Sequence, residues 1–188
     1  MAVLIAGGVV VGIDAHDRNE SVQEIAQRAE LSGLIIENDD LINKLSPQAI
    51  ENLVFIISLE NGAKRSELKK HLSLNEFNSI EASVSADAFN IAVPQNHAAV
   101  IIFTSGTTGV PKGISYTHEQ VLLACSSILE FFRDFKAGSR LVCWLPLSNL
   151  FQRIVNFCAI HIEAETFFVE DPRDVVKHLK TVNPHLFI

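Results

Sequence analysis

The chain has 188 residues, which is near the size of one compact domain and leaves little room for two. Hydrophobic residues make up 48% and charged residues 20%, a composition that excludes an intrinsically disordered, collagen-like or solenoid protein. The net charge of -7 argues against a nucleic-acid-binding surface or a polybasic membrane patch. We therefore expect no nucleic-acid partner, and any anionic ligand has to be held by local groups.

The three cysteines, Cys125, Cys143 and Cys158, lie in apolar stretches at spacings unlike those of zinc sites or redox dithiols. We expect them to be reduced and buried, as in a cytoplasmic protein. The apolar residues 1–14 lack a preceding basic region and are too few to span a membrane, so neither a signal peptide nor a transmembrane segment is expected. Because chain ends normally lie in water, this apolar opening indicates a fragment.

Short apolar runs alternate with helix-period segments, which predicts an α/β fold with a mainly parallel sheet and flanking helices. The charged stretch 60–96 is predicted to be a solvated helix and a surface loop. The predicted strands are, in chain order, residues 9–13, 34–36, 53–57, 98–103, 114–116, 141–145, 166–169 and one that begins near Leu186.

Helix starts are predicted from capping residues. Ser21 with Glu24, and Thr117 with Gln120, have the spacing of a capping box, and Asp171 before Pro172 is a third start signal. The helix after Thr117 is predicted to pack an apolar face on the sheet, through Val121, Cys125, Ile128 and Phe132.

One segment, residues 98–118, carries recognisable chemistry: AAVIIFTSGTTGVPKGISYTH. A β-branched strand leads into a loop of glycines and hydroxyl side chains, here called the glycine-rich loop (residues 104–113). Glycine lets the backbone approach a ligand closely, and exposed N–H groups and hydroxyls can surround phosphate oxygens. Lys112 would add a positive charge. The carboxyl end of a strand is also where open α/β sheets bind ligands.

The alternative for this loop is a polar hairpin in which Pro111 and the glycines serve only the turn. A Walker loop is excluded, because Lys112 follows proline and precedes glycine. A nucleophile elbow needs glycine two residues before the serine, and Phe103 stands there before Ser105, which argues against a serine hydrolase.

The decapeptide TSGTTGVPKG resembles the phosphate-binding signature of the AMP-forming ligases, the adenylate-forming superfamily of acyl-CoA synthetases, luciferases and peptide-synthetase adenylation domains. AGGVVVGIDAH, SGLIIENDDLINKL and LPLSNLFQR are similar to segments of long-chain fatty acyl-CoA synthetases, so the resemblance covers essentially the whole chain. It implies that residues 1–188 are a fragment of the large N-terminal AMP-binding domain, without the C-terminal domain.

The resemblance implies that the parent enzyme activates a long-chain fatty acid in two steps. The carboxylate attacks the α-phosphorus of ATP, and the thiol of coenzyme A then displaces AMP from the acyl-adenylate. Lys112 and Thr104 would stabilise the leaving pyrophosphate, with Thr104 near a magnesium ion. The residues implied to hold the β- and γ-phosphates are Thr104, Ser105, Gly106, Thr107, Thr108, Gly109 and Lys112.

One position departs from the family pattern. Asn149 stands where long-chain synthetases commonly have the histidine of LPLAHIFER. The resemblance makes Asn149 part of the acyl and nucleotide pocket, whereas the local sequence is equally that of a helix cap with Gln152 three residues on. Both interpretations stay open at this point.

The family's downstream Tyr-Gly-x-Thr-Glu segment, ribose-binding aspartate and mobile-domain lysine have no counterpart here, so we expect the chain to be inactive by itself. Two alternatives remain: another adenylate-forming ligase with a different acyl acceptor, and a non-catalytic interaction module that keeps the fold. Peripheral membrane association of the parent is compatible with the sequence.

Histidines suggest no second site. Asp14, His16 and Asp17 could form a metal site, but in a loop we expect them to be solvated. His118 is predicted to lie on the exposed first turn of a helix.

Overall fold

The computed structural model describes residues 1–60, 71–80, 92–105 and 111–187, with the side chain of Ser105 outside the description. The chain divides into two compact units. The first comprises Met1–Gly12, Val93–Ile102 and Ser115–Ile188, and the second comprises Ile13–Ala92 and Phe103–Ile114.

Helices and strands alternate along the described residues. The strands are β1 (Val10–Val11), β2 (Gly33–Ile36), β3 (Phe55–Ser58), β4 (His71–Ser73), β5 (Ala98–Ser105), β6 (Pro111–Thr117), β7 (Arg140–Cys143) and β8 (Glu165–Phe168). The α-helices are α1 (Ala2–Ile5), α2 (Asn19–Arg28), α3 (Pro47–Glu51), α4 (Leu74–Ser79), α5 (His118–Phe131), α6 (Leu150–His161) and α7 (Val175–Val182). Short 3-10 helices cover Asp39–Lys44 and Pro172–Asp174.

The predicted α/β class with mainly parallel pairing is confirmed, although the described strands form three small sheets. Their orders are β1-β5-β6, β2-β3-β4 and β7-β8. The pairs β1 with β5, β2 with β3, β3 with β4, and β7 with β8 are parallel. The strand predicted near Leu186 is reduced to a single parallel bridge between Leu186 and Leu141.

The core of the first unit lies where α5 and α6 meet β5 and β7. The predicted face of α5 is confirmed, since Val121 and Cys125 are buried and Ile128 and Phe132 pack against the same cluster. The three cysteines are free and buried, as expected. The thiols of Cys125 and Cys158 join the two helices, because each donates to a backbone carbonyl of the neighbouring helix at 3.7 Å. A hydrogen bond with Cys125, together with burial, raises the pKa of Cys158.

A separate core fills the second unit. Helix α2 packs Val22 and Ala26 against β2 and β3, and Ile42 of the first 3-10 helix is fully enclosed. The apolar residues of these elements are those of the predicted strands and of the i, i+4 spacing on α2. Hydrophobic burial therefore fixes β2 and β3 side by side, with Leu34 opposite Ile56.

Two of the three predicted helix starts are confirmed. Thr117 and Gln120 form a full capping box, in which the Gln120 N–H donates to Thr117 Oγ1 at 3.2 Å and the Thr117 N–H donates to Gln120 Oε1 at 2.9 Å. Asp171 accepts from the Arg173 N–H at 2.9 Å and begins the second 3-10 helix, which leads into α7.

The capping box predicted at Ser21 and Glu24 is wrong. Helix α2 begins two residues earlier, at Asn19, and has no side-chain cap. Glu24 instead accepts from the Arg28 guanidinium one turn on, at 2.9 Å. The earlier start places Glu20 in the first turn and Arg28 in the last turn. At these positions both charges interact favourably with the helix dipole.

The prediction of a solvated helix and a surface loop over 60–96 is confirmed in part, since α4 buries no residue and residues 92–96 form a mostly exposed loop, but it is wrong for residues 71–73. Residues 71–73 form β4, parallel to β3, and α4 follows with a capping box between Ser73 and Glu76. His71 is only 4% exposed. Residues 61–70 and 81–91, which carry the rest of this prediction, lie outside the described residues.

Replacing Thr117 by alanine removes the side-chain acceptor of the α5 capping box, so it should lower the free energy of unfolding by about 1 kcal/mol. Ser21→Ala is the matched control, because the same change inside α2 removes no cap and should cost nothing measurable. Urea denaturation of both variants checks this. Equal losses would mean that the two residues have the same role.

Candidate functional site

The glycine-rich loop lies between two neighbouring strands. Strand β5 carries the buried residues Ala99 and Val100 and ends at Ser105, and β6 begins at Pro111. Strand order makes β5 and β6 neighbours, an arrangement that both the phosphate-loop and the hairpin interpretations require. Gly106, Thr107, Thr108 and Gly109, as well as the side chain of Ser105, lie outside the described residues.

Two polar side chains of the loop are described and accessible, whereas Pro111 is buried. Thr104 is exposed at the carboxyl end of β5, and Lys112 is exposed near the start of β6. The Lys112 ammonium forms no ion pair or hydrogen bond with any residue in the described ranges. Within the described part of the chain, these strand ends thus present an exposed hydroxyl and an exposed cation, the groups that an anionic ligand would need.

Asn149 caps helix α6, as one of the two interpretations requires. Its side-chain Oδ1 accepts from the Gln152 N–H at 3.1 Å, and its own N–H donates to the Pro146 carbonyl at 2.9 Å. The residue is exposed. The cap uses only the oxygen, and Nδ2 forms no hydrogen bond with the residues that the structure describes, so the cap does not exclude a binding role.

The segment between β7 and α6, residues 144–149, is held by buried polar side chains of α6. Gln152 is 4% exposed, and its Oε1 accepts from the N–H groups of Trp144 at 3.4 Å and Leu145 at 3.3 Å. Its Nε2 donates to Asn156, which in turn donates to the Cys143 sulfur at 3.3 Å. Burial raises the pKa of the Cys143 thiol. This network fixes the backbone at the carboxyl end of β7.

Arg153 holds the other end of the same segment. It is 8% exposed, and both Nε and Nη2 donate to the Leu147 carbonyl, the Nε contact measuring 2.8 Å. Burial lowers the pKa of Arg153. The guanidinium lies against Gly12, where a Cβ atom would approach Nη2 to 2.6 Å and the Ser148 Cα to 2.7 Å. The segments AGGVVVGIDAH and LPLSNLFQR therefore meet at Gly12.

Sequence reasoning treated Gln152 only as a capping partner and missed Arg153 and Gly12. The available signal was three polar residues, Gln152, Arg153 and Asn156, among the apolar positions of LFQRIVNFCAI, which indicates side chains that must find partners where they are buried. Most of the partners are backbone groups of residues 144–147, which no residue pattern reveals.

A second polar cluster, Asp39–Ser58–His71, lies within the second unit. The Ser58 hydroxyl donates to Asp39 Oδ1, and His71 Nε2 lies 3.2 Å from both Ser58 Oγ and Asp39 Oδ1. Ser58 and His71 are 2% and 4% exposed. A hydrolytic triad needs the carboxylate on Nδ1, but here both groups face Nε2, and Nδ1 is buried without a partner among the described residues. The arrangement supports the strands rather than nucleophilic chemistry.

The remaining histidines form no comparable cluster. His16 is exposed and lies 3.1 Å from Asp14, and the described part of the chain contains no group of three or more metal-ligating side chains. His118 is on the first turn of α5, as predicted, but it is half-buried rather than exposed, because its ring stacks on His97 with centroids 6.4 Å apart.

Comparison with known proteins agrees with this geometry. The family model described as "AMP-binding enzyme" matches residues 1–188. The mouse long-chain-fatty-acid–CoA ligase ACSBG2 is 30% identical over 201 residues, covering the whole of this chain and 30% of the mouse protein. Human long-chain-fatty-acid–CoA ligase 1 is 29% identical over 182 residues, covering 90% of this chain and 26% of the human protein.

Solved structures share the fold. The N-terminal domain of FACL13 from Mycobacterium tuberculosis has a TM-score of 0.69 at 20% identity, covering 95% of this chain and 42% of that one. A red-emitting luciferase from Phrixothrix hirtus has a TM-score of 0.72 at 12% identity, covering 97% of this chain and 36% of the luciferase. At these identities the likeness establishes the architecture alone.

The fold is that of the N-terminal domain of adenylate-forming ligases, and the sequence TSGTTGVPKG resembles their signature. The chain belongs to the AMP-binding enzyme family, and its relatives include long-chain fatty acid CoA ligases at about 30% identity. It spans less than a third of the length of these relatives. Among the described helices, none has the length and apolarity needed to cross a membrane.

Replacing Ser58 by alanine removes a buried hydroxyl from the Asp39–Ser58–His71 cluster and should lower the free energy of unfolding by about 1–3 kcal/mol. Ser126→Ala is the matched control, because this exposed hydroxyl bonds only to the Leu122 carbonyl of its own helix. Its effect should stay within about 0.5 kcal/mol. Thermal or urea unfolding measures both, and a Ser58 loss no larger than that of Ser126 would contradict a buried supporting role.

Proposed function

We propose that this chain is part of the large N-terminal domain of an AMP-forming long-chain fatty acid–CoA ligase. The observation that carries the proposal is the pair of exposed donors Thr104 and Lys112, which flank the family's signature sequence on neighbouring strands. The relatives at about 30% identity support the fatty-acid assignment. ATP and coenzyme A are the proposed co-substrates.

In the first proposed step, a fatty carboxylate oxygen attacks the α-phosphorus of ATP and the bond to pyrophosphate breaks. Negative charge grows on the leaving β- and γ-phosphates, so positive charge and N–H donors beside them lower the barrier. Lys112 supplies the positive charge, and Thr104 supplies a hydroxyl donor. The other loop residues proposed to bind the phosphates, through hydroxyl or backbone N–H groups, are Ser105, Gly106, Thr107, Thr108 and Gly109. The coenzyme A thiol then attacks the acyl carbon and releases AMP.

Magnesium is part of the proposal through the nucleotide. The Thr104 hydroxyl is an uncharged oxygen donor of the kind that this ion accepts alongside phosphates and water. When bound, the ion would supply further positive charge to the phosphates. The described residues provide no carboxylate cluster for it, which fits an ion that arrives with ATP rather than one held by the protein alone.

Asn149 is proposed to face the acyl or adenylate group. It lies just beyond the carboxyl end of β7, where ligands of α/β proteins bind, and its Nδ2 is free to donate. The neighbouring Leu147 and Phe151 are 47% and 42% exposed, an apolar surface of the kind that an acyl chain would cover. An amide donates and accepts without titrating, so Asn149 would act by hydrogen bonding rather than by proton transfer, unlike a histidine there.

A cytoplasmic location completes the proposal and is supported by the three free cysteines, which an oxidising compartment would not favour.

Lys112→Ala in the complete protein should slow palmitate-dependent exchange between ATP and pyrophosphate by roughly tenfold or more, because the growing phosphate charge loses its cation. The matched control is Lys180→Ala, which removes an exposed lysine from α7, away from the loop in sequence, and should leave exchange unchanged. Wild-type exchange rates in the Lys112 variant, or equal losses in both, would overturn the assignment.

A further inference from the structure

The turn Leu147–Ser148–Asn149 depends on one arginine. The guanidinium of Arg153 donates twice to the Leu147 carbonyl at the start of the turn. At the other end, the backbone N–H of residue 153 donates to the Asn149 carbonyl at 3.2 Å, a helical bond that does not depend on the side chain. Neither carbonyl lies in a strand. A shift of Arg153 would therefore move Asn149, the exposed residue that caps α6.

The guanidinium is used in an uncommon way. It is almost fully buried, and no carboxylate lies within 4 Å of it in the described ranges, so its charge is balanced only by a carbonyl dipole. A buried cation without a carboxylate partner is costly, and a smaller polar side chain could satisfy one carbonyl at a lower cost. The planar fork of arginine, however, can aim two N–H groups at one oxygen and so restrict the direction of that carbonyl.

Gly12 holds the turn from the other side. A Cβ there would lie 2.6 Å from Arg153 Nη2, 2.7 Å from the Ser148 Cα and 3.1 Å from the Leu147 oxygen. The last two are backbone atoms, which cannot rotate away. The end of β1 thus packs directly on the turn, and the guanidinium is confined between Gly12 and the Leu147 carbonyl.

We propose that Arg153 is a positioning residue of the acid-activating site: it fixes Leu147 so that the free amide of Asn149 points to the bound acyl or adenylate group. The inference rests on the proposed function. It goes beyond it by assigning to a buried residue, which touches no substrate, control over the efficiency of acid activation.

Arg140 provides the comparison that separates positioning from stability. It lies at the amino end of β7, and its guanidinium also donates to backbone carbonyls, those of Val182 at 2.7 Å and Asn183 at 3.0 Å. The type of bond is the same, but it holds the end of α7 and not the turn before α6. A merely structural arginine at position 153 should behave as Arg140 does.

The test is a double-mutant cycle in the complete protein, followed by palmitate-dependent ATP–pyrophosphate exchange. Arg153→Lys, which keeps the charge but loses the fork, should reduce kcat/KM for palmitate by roughly tenfold or more, since a misplacement of about 1 Å can cost a hundredfold. Arg140→Lys should stay within about twofold of wild type. Asn149→Ala combined with Arg153→Lys should be no worse than Asn149→Ala alone, because both changes act through the same amide.

Additive losses in the double variant, or equal losses in the two arginine variants, would overturn the inference. Gly12→Ala keeps arginine at position 153 but forces its guanidinium and the turn to shift, and it provides a second variant if Arg153→Lys folds poorly. Its kcat/KM should also fall, again without further loss when Asn149 is already alanine. Wild-type kinetics in Gly12→Ala would contradict the proposal.

Hydrogen exchange of residues 144–151 separates this inference from the proposed function. Faster amide exchange in Arg153→Lys but not in Arg140→Lys would support the inference that Arg153 fixes the turn. Unchanged exchange in Arg153→Lys would overturn it, whatever the kinetic results. A wild-type protein that activates no carboxylic acid would overturn the proposed function, and the exchange measurement alone would then decide whether Arg153 fixes the turn.

Discussion

The first unit depends on the hydrogen bonds between side chains of α6 and the backbone of the preceding segment, residues 144–149. Backbone groups that leave a strand must find partners, and here Gln152 and Arg153 supply them to Trp144, Leu145 and Leu147. Residues 144–149 therefore have hydrogen-bonded backbone groups although they form no strand, and Pro146, Leu147 and Asn149 are exposed. The same hydrogen bonds explain why α6 buries Gln152 and Arg153 in its first turns. The close approach of Arg153 and the turn explains why position 12 needs a glycine.

Local charge rather than overall charge governs what the glycine-rich loop can bind. The chain carries a net charge of -7, so its long-range field opposes a polyphosphate. Lys112 and the loop's N–H and hydroxyl donors have to overcome that field at short range, where Coulomb interactions are strongest. The proposed magnesium complex of ATP would carry less negative charge than ATP alone, so the rest of the protein would repel it less.

Much of the fold could be predicted because the signals were local. The buried strand 98–103 and the capping box of Thr117 and Gln120 follow from neighbouring residues alone, and both are confirmed. The box at Ser21 failed because the same spacing occurs inside a helix whose start is set by the dipole and by packing. Strand β4 was missed because three residues are too few to show a period of two.

Only the part of the candidate site that has local sequence signals could be predicted. Lys112 and Asn149 lie in recognisable motifs, whereas Arg153 acts on a carbonyl six residues back and against Gly12, a contact that depends on tertiary structure. The roles of the loop residues remain proposals. The proposed phosphate binding by these residues follows from the family signature. The positions of Thr104 and Lys112 depend on β5 and β6, both of which the sequence predicts.

The central claim is that the complete protein joins a fatty acid to coenzyme A with formation of AMP. The most direct measurement is product analysis by mass spectrometry after incubation with palmitate, ATP, magnesium and coenzyme A. The account predicts palmitoyl-CoA and AMP in equal amounts, with palmitoyl-adenylate accumulating only when coenzyme A is left out. Adenylate that persists in the presence of coenzyme A would indicate a ligase with another acceptor, and no consumption of ATP with any carboxylic acid would contradict the claim altogether.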